Sequence, residues 1–293
     1  MSVWAAISQQ IEATTGRPFE VERQRSVGGG SINAAYVARS KSEAYFVKLN
    51  AAAQLNMFKA EAAGLNELAE AGVIRVPQVI CWGTEADSAY LVLEYLELGS
   101  GKASSSEELG RQLARLHQVK GPCFGWHINN TIGATPQVNT YSDKWTEFWR
   151  QHRLGYQLSL AASKGHRGEL QRKGERLLAE LHKLFVDYSP DPVLLHGDLW
   201  SGNWGTDTQG NPVIFDPAVY YGDRETDLAM TELFGGFTAQ FYRAYQAELP
   251  LDSGYSVRKI LYNLYHVLNH LNLFGGNYLS QADNMIDRLL SEI

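Results

Sequence analysis

Cysteine is nearly missing from this chain of 293 residues. Cys81 and Cys123 cannot build a metal cluster by themselves, and in a cytoplasmic chain both are expected to stay reduced. Basic excess is missing too. The 26 Lys and Arg against 32 Asp and Glu leave a net charge of −6, which argues against a nucleic-acid partner. No apolar run approaches the roughly 18 residues that span a bilayer, so no membrane partner is expected. Met1-Ser2-Val3-Trp4 shows no basic stretch followed by an apolar core, so no secretory signal is expected and the cytoplasm is the expected location. Internal repeats are absent, and Ser104-Ser105-Ser106 is the sole low-complexity tract. What remains is an ordinary globular composition, 44% apolar and 20% charged. The length suggests two lobes.

The most informative stretch is His196-Gly197-Asp198-Leu199-Trp200-Ser201-Gly202-Asn203, followed by Val213-Ile214-Phe215-Asp216. An Asp, an Asn five residues on, and a second Asp closing an apolar run form the order used by protein-kinase-like phosphotransferases. There, one Asp faces the substrate hydroxyl, while the Asn and second Asp hold the Mg²⁺ that bridges the ATP phosphates. Phosphoryl transfer needs positioning and charge neutralisation more than covalent chemistry. The flanks fit. Pro192-Val193-Leu194-Leu195 reads as a buried strand entering a loop, Asn211-Pro212 as a turn, and Val213 to Phe215 as a second strand. Magnesium suits oxygen ligands of this kind. His196 reads as a packed, hydrogen-bonded loop residue ahead of an acid/base.

Upstream, Val27-Gly28-Gly29-Gly30-Ser31-Ile32-Asn33 lies between two strand-like runs. Such a turn lets backbone N–H groups approach phosphates, though alone it is more often a plain hairpin. It is neither a dinucleotide fingerprint nor a Walker loop. Ala44-Tyr45-Phe46-Val47-Lys48-Leu49 reads as a strand carrying one Lys, which must find a partner or snorkel. In kinase-like folds that Lys contacts phosphates and pairs with a helix Glu. Met57 to Leu68 is rich in helix formers and offers Glu61 first and Glu67 second. Ala89 to Leu96 reads as a strand followed by the break Gly99-Ser100-Gly101. That is where a kinase-like fold hinges and holds adenine through backbone groups, so Glu94 and Leu96 are candidates by position.

Beyond the hinge the pattern turns helical. Ser106-Glu107-Glu108-Leu109 reads as a capped helix start, and Trp145 to Leu160 and Leu170 to Leu184 as further helices. Asp227 stands before an apolar run, as an N-cap or as a buttress accepting backbone N–H bonds from the catalytic loop. Ile260 to Gly275 reads as an apolar helix ending at a Gly pair, with His266 and His270 on one face. A metal pair there lacks a third ligand, so core or substrate-pocket histidines are expected.

With these residues in hand, the chain resembles the fructosamine kinase (ketosamine-3-kinase) family, relatives of the aminoglycoside and choline phosphotransferases. The densest matches are His196 to Asn203, Phe215-Asp216-Pro217-Ala218 and Tyr220-Tyr221-Gly222-Asp223-Arg224-Glu225, and the last is Leu268 to Gly275. Gly28 to Asn33, Phe46-Val47-Lys48, Glu61 to Leu65, Leu91 to Leu96, Phe124-Gly125-Trp126 and Asn130 to Gly133 add to them. The resemblance implies an α+β, bilobal protein-kinase-like fold. An N-terminal β-rich lobe with one main helix (1–97) would bind nucleotide, and a mostly helical lobe (98–293) would carry catalysis and substrate. It implies ATP-dependent phosphorylation of the sugar 3-hydroxyl of ketosamines, small molecules or glycated lysine side chains, by a monomer or homodimer. The phosphate ester formed is unstable, so the amine is released and the glycation undone.

Carried over by motif, Asp198 is the general base, and Asn203 and Asp216 bind Mg²⁺. Lys48 with Gly28, Gly29, Gly30 and Ser31 holds the ATP phosphates. Trp200 is placed to stack on a sugar face or to pack in the core, and His270 is a substrate candidate. Some members carry Cys where Ser31 stands, so thiol control of that loop is not expected. Pro217-Ala218 replaces Phe-Gly after Asp216, so activation-loop logic does not transfer. Two other readings are carried: a kinase for another small hydroxylated amine, such as an aminoglycoside or choline-like metabolite, and a nucleotide-binding module without catalysis. Retention of Lys48, Asp198, Asn203 and Asp216 argues against the last.

Overall fold

Ser2 opens the first helix, α1 (Val3–Thr15), by accepting the Ala5 N–H on its hydroxyl. The computed structural model describes residues 2–28, 32–101 and 103–293. They divide into two units, one of Met1–Ser105 with Trp204–Pro217, the other of Ser106–Asn203 with Ala218–Ile293.

The first unit is built on an antiparallel sheet of β1 (Arg23–Val27), β2 (Ala34–Arg39), β3 (Ala44–Ala51), β4 (Val79–Glu85) and β5 (Ser88–Glu94), in the order β1-β2-β3-β5-β4. Strand alternation gives β3 two different faces. Tyr45 and Val47 join Ile7 and Ile11 of α1, with Phe19, Ala38, Tyr90 and Val92, in one apolar cluster. Each buried Ile, Val or Phe of that cluster contributes about 1.5–3 kcal/mol over its exposed state. Lys48, one residue out of phase, turns to the other face and meets α2 (Leu55–Ala71). The lobe therefore carries α1 as well as the one main helix expected. The Ser2 cap and the four-residue spacing of Ile7 and Ile11 were the available signals for α1.

The sequence-based boundary at 97/98 moves to Ser105, and a later segment joins this unit. The reason is a hairpin of β9 (Trp204–Thr206) and β10 (Pro212–Ile214). Its strands reach back to the N-terminal residues through backbone bonds from Gly99 N–H to the Thr206 carbonyl and from Ile214 N–H to the Arg75 carbonyl. Arg75 adds ion pairs to Asp207 (3.0 Å) and Glu94 (2.8 Å).

In the second unit, α3 (Ala103–Leu116) begins earlier than the Ser106 start expected. Ser106 sits inside the helix and bonds the Thr238 hydroxyl at 2.8 Å. The single helix expected from Trp145 is α4 (Trp145–Trp149), one wider turn over Arg150–Leu154, and α5 (Gly155–Ser163). Inside that turn Arg153 is fully buried, 4.1 Å from the Tyr220 ring centre and bonded to Asn139 Oδ1. α6 (Glu169–Glu180), α7 (Glu225–Leu233), α8 (Ala239–Glu248), α9 (Tyr255–Phe274) and α10 (Tyr278–Ser291) complete the helices. α9 is buried nearly all round, as a central helix must be. Two short ladders interrupt them, β6 (Asn130–Ile132) with β7 (Thr135–Gln137), and β8 (Val193–Leu195) with β11 (Tyr220–Gly222). Among the described residues no helix is long and apolar enough to cross a membrane.

Candidate active site

Lys48 brings three of the expected groups together in the first unit. Its ammonium lies 2.5 Å from Glu61 Oε1 and 2.6 Å from Asp216 Oδ1. Glu61, the first of the two helix acids considered, is therefore the partner on α2. Burial works against the Lys48 charge, but the two carboxylates outweigh it and hold the pKa above the ordinary lysine value. Burial pushes the Glu61 carboxyl upward, and the Lys48 charge pulls it back.

Asp216 follows β10 with φ 57°, a left-handed backbone that is uncommon outside glycine and tolerated by Asp. That turn leaves its carboxylate 46% exposed although Lys48 holds one oxygen. Gly28 is exposed, and the turn's far end is tied by Asn50, whose amide donates to Asn33 Oδ1 at 2.7 Å. Gly29, Gly30 and Ser31 lie outside the described residues. Glu94 closes β5 with its N–H on the Gln78 carbonyl and its carboxylate on Arg75, while Leu96 lies just past the strand and is half-buried.

The second unit assembles the other half of the candidate set on the loop after β8. Asp227, at the first turn of α7, accepts the backbone N–H groups of His196 and Gly197, both at 2.8 Å. The buttress reading of Asp227 thus describes its contacts, and at the start of α7 the Asp223 carboxylate accepts the Glu225 N–H at 3.0 Å. Burial works against the Asp227 carboxylate, yet the bond from His117 and the nearby N–H groups hold its pKa below the usual range. His117, the residue after α3, supplies that bond. Its ring spans Asp227 Oδ2 (3.2 Å) and the Tyr245 hydroxyl (2.8 Å), and that pairing needs the fold to be seen.

Gly197 has φ 83°, and a Cβ there would stand 2.1 Å from the Ala218 carbonyl oxygen, so only glycine fits. His196 is fully buried, and its Nδ1 accepts the Asp198 N–H at 3.2 Å, in keeping with a packed loop residue. Asn203 turns its amide nitrogen to Asp198, 2.9 Å from the backbone carbonyl and 3.3 Å from Oδ2. The nitrogen end is thereby engaged, and Oδ1 is the atom of that side chain able to ligate a hard cation. Trp200 is half-buried with its indole lying on Gly202, where a Cβ would come within 2.2 Å of the ring.

A family model described as fructosamine kinase matches residues 3–292. The chain belongs to that family. A probable ketoamine kinase from Synechocystis sp. is 52% identical over 288 residues, covering 98% of this chain and 97% of its own. A chloroplastic protein-ribulosamine 3-kinase from Oryza sativa subsp. japonica is 40% identical over 299 residues, 99% of this chain and 86% of its own. The crystal structure of a candidate fructosamine-3-kinase from Haemophilus somnus superposes with a TM-score of 0.90 at 30% identity, covering 98% of this chain and 97% of that one. An aminoglycoside phosphotransferase complexed with AMP-PNP and hygromycin B gives 0.65 at 15% identity over 98% of both chains, a likeness of fold.

The fructosamine kinase block from Tyr220 to Glu225 does structural work in this chain. Asp223 accepts from the Tyr188 hydroxyl at 2.9 Å and the Tyr262 hydroxyl at 2.5 Å, and Glu225 holds Arg258 through two bonds of 2.8 and 2.9 Å. Burial is the main reason the Glu225 carboxyl is pushed up to about 7.

Proposed function

We propose that this protein is an ATP-dependent ketosamine 3-kinase that acts on glycation adducts. Two observations carry the reading: the first unit pairs Lys48 with Glu61 and Asp216, and the second holds a loop whose Asp198 is set by Asn203 and an Asp227-anchored backbone. The family membership and the ketoamine and ribulosamine kinases among its relatives point to the same reaction.

In this reading Asp198 takes the proton of the sugar 3-hydroxyl as that oxygen bonds the γ-phosphorus and ADP departs. Lys48 and the Gly28–Ser31 turn hold phosphate oxygens. Glu94 and Leu96 receive adenine through backbone groups. Asn203 and Asp216 offer the hard oxygen donors that Mg²⁺ prefers, and the ion would neutralise charge on the phosphates. Trp200 and His270 contact the substrate. The 3-phosphate so made breaks down and frees the amine.

The test is product mass spectrometry after incubation with Mg-ATP and a panel of fructosamines, ribulosamines and erythrulosamines. Wild type should yield a phosphorylated ketosamine, and Asp198→Asn should slow turnover by about 10²–10⁴-fold while nucleotide binding persists. Phosphate appearing only on an aminoglycoside or a choline-like amine would reassign the substrate. Normal turnover by Asp198→Asn would remove the assigned base.

A further inference from the structure

Past Trp200 the helical unit lays ring beside ring. Trp200 stands edge-on to Phe234 at 6.5 Å, Phe234 lies 5.2 Å from His270, and His270 lies 5.7 Å from Phe274 and 5.1 Å from Tyr278. Phe234 is the residue after α7. His270 and Phe274 are one helical turn apart at the end of α9. Two of these rings stay in solvent: Phe234 is 46% exposed and Phe274 55%. Phenyl rings left in water contribute little to a core, and their grouping marks a contact surface.

The grouping is also fixed in place. A Cβ on Gly236 would stand 2.5 Å from the Ser201 Cβ, so the turn carrying Phe234 interlocks with the catalytic loop carrying Trp200. His270 Nδ1 donates to the His266 carbonyl at 2.8 Å. In the neutral ring Nε2 is then the acceptor. The strip therefore offers aromatic faces and one acceptor, continuous with the loop that bears Asp198. A sugar's hydroxyls call for many polar partners. A substituted ammonium on an alkyl chain calls for ring faces, a lone pair and apolar area. A ketosamine has both ends.

We infer that Phe234 and Phe274, with His270 between them, form the subsite for the N-alkylammonium arm of the ketosamine. The inference rests on the ketosamine kinase reading above. The arm lies along exposed rings, so a glycated lysine still attached to a peptide is accepted. Trp200 then divides the sugar end from the amine end.

The test compares two substrates, fructosamine on the side-chain amine of a lysine-containing peptide and fructosamine on unsubstituted ammonia. Steady-state kcat/KM is measured for wild type, Phe234→Ala and Phe274→Ala, with melting temperatures to show that each exposed-site variant folds. Wild type should prefer the peptide adduct, and each substitution should cut that preference about five- to tenfold, through KM. A preference unchanged in both variants overturns the subsite, as does an equal loss on the two substrates. A wild type that phosphorylates no ketosamine removes the kinase reading itself and the subsite with it. Turnover of the unsubstituted adduct with no preference for the peptide leaves the kinase reading standing and overturns the subsite alone.

Discussion

The two units hold their acids in opposite ways. In the sheet unit charge answers charge, with the Lys48 ammonium between Glu61 and Asp216. At the loop after β8 in the helical unit the backbone does most of the holding. Asp227 is buried at 1% exposure, and its carboxylate is met by two peptide N–H groups and a histidine ring. The first arrangement keeps a buried cation in place and depends on every charge being present. The second shapes a loop and depends on hydrogen-bond geometry. A phosphoryl-transfer enzyme needs both, since the anionic substrate must be neutralised and the base must be aimed.

Removing one charge breaks the comparison most severely in the sheet unit. Lys48→Met should lower unfolding free energy by about 3–5 kcal/mol, because it leaves Glu61 buried and unpaired. Adding Glu61→Leu should restore most of that stability and none of the activity. Urea denaturation of the single and double variants measures it. A single variant as stable as wild type would mean that the pair is not held by charge.

The sequence made the charge-paired half easier to read than the backbone-held half, for a physical reason. A Lys in an apolar strand must have a partner, and the nearest amphipathic helix supplied Glu61. Asp216 stood at the end of an apolar run, and the Asp198 and Asn203 of the other unit were legible only through their fixed spacing ahead of it. The hairpin from Trp204 to Ile214 joining the N-terminal unit was not legible, because its contacts are backbone bonds to residues more than a hundred positions earlier. Nor were His117 and Tyr245, whose partners lie 110 and 128 residues away from His117. No local pattern distinguishes them from core residues. Asp227 was half legible: its place beside a helix start suggested two roles, and its N–H partners were fixed only by the fold.

The backbone-held half should answer differently to substitution. Asp227→Asn offers one acceptor oxygen where two were used and turns an amide N–H toward a backbone N–H. A loss of about 1.5–3 kcal/mol is expected, as for bonds to a charged group. The larger signature is kinetic. A loop shifted by a fraction of an ångström should lower kcat by up to about 10²-fold, with the KM for ATP little changed. A variant that loses ATP affinity in step with kcat would show that Asp227 supports nucleotide binding as well, and the separation of the two halves would fail.

The smallest effect is a pH dependence confined to the helical unit. His266 is buried on α9, and burial first, then the neighbouring His270, pushes its pKa down from 6.5 to about 3. The sign follows from which state binds the proton. Below pH 6.5 the unfolded chain protonates His266 while the folded chain does not until near pH 3. Stability is therefore lost as pH falls through that window, by at most about 1.4 kcal/mol per pH unit. Asp227 has the opposite shift for its type, below 3.8, so its contribution holds until the pH drops under the ordinary carboxylate value. Between pH 6.5 and 4.5 the difference between wild type and His266→Gln isolates the histidine, because the other groups titrate in both proteins. Denaturation midpoints measured across that range should converge as the pH falls, the variant declining less steeply. Parallel curves would mean that His266 takes its proton in the folded state, adding a charge at a buried position of α9.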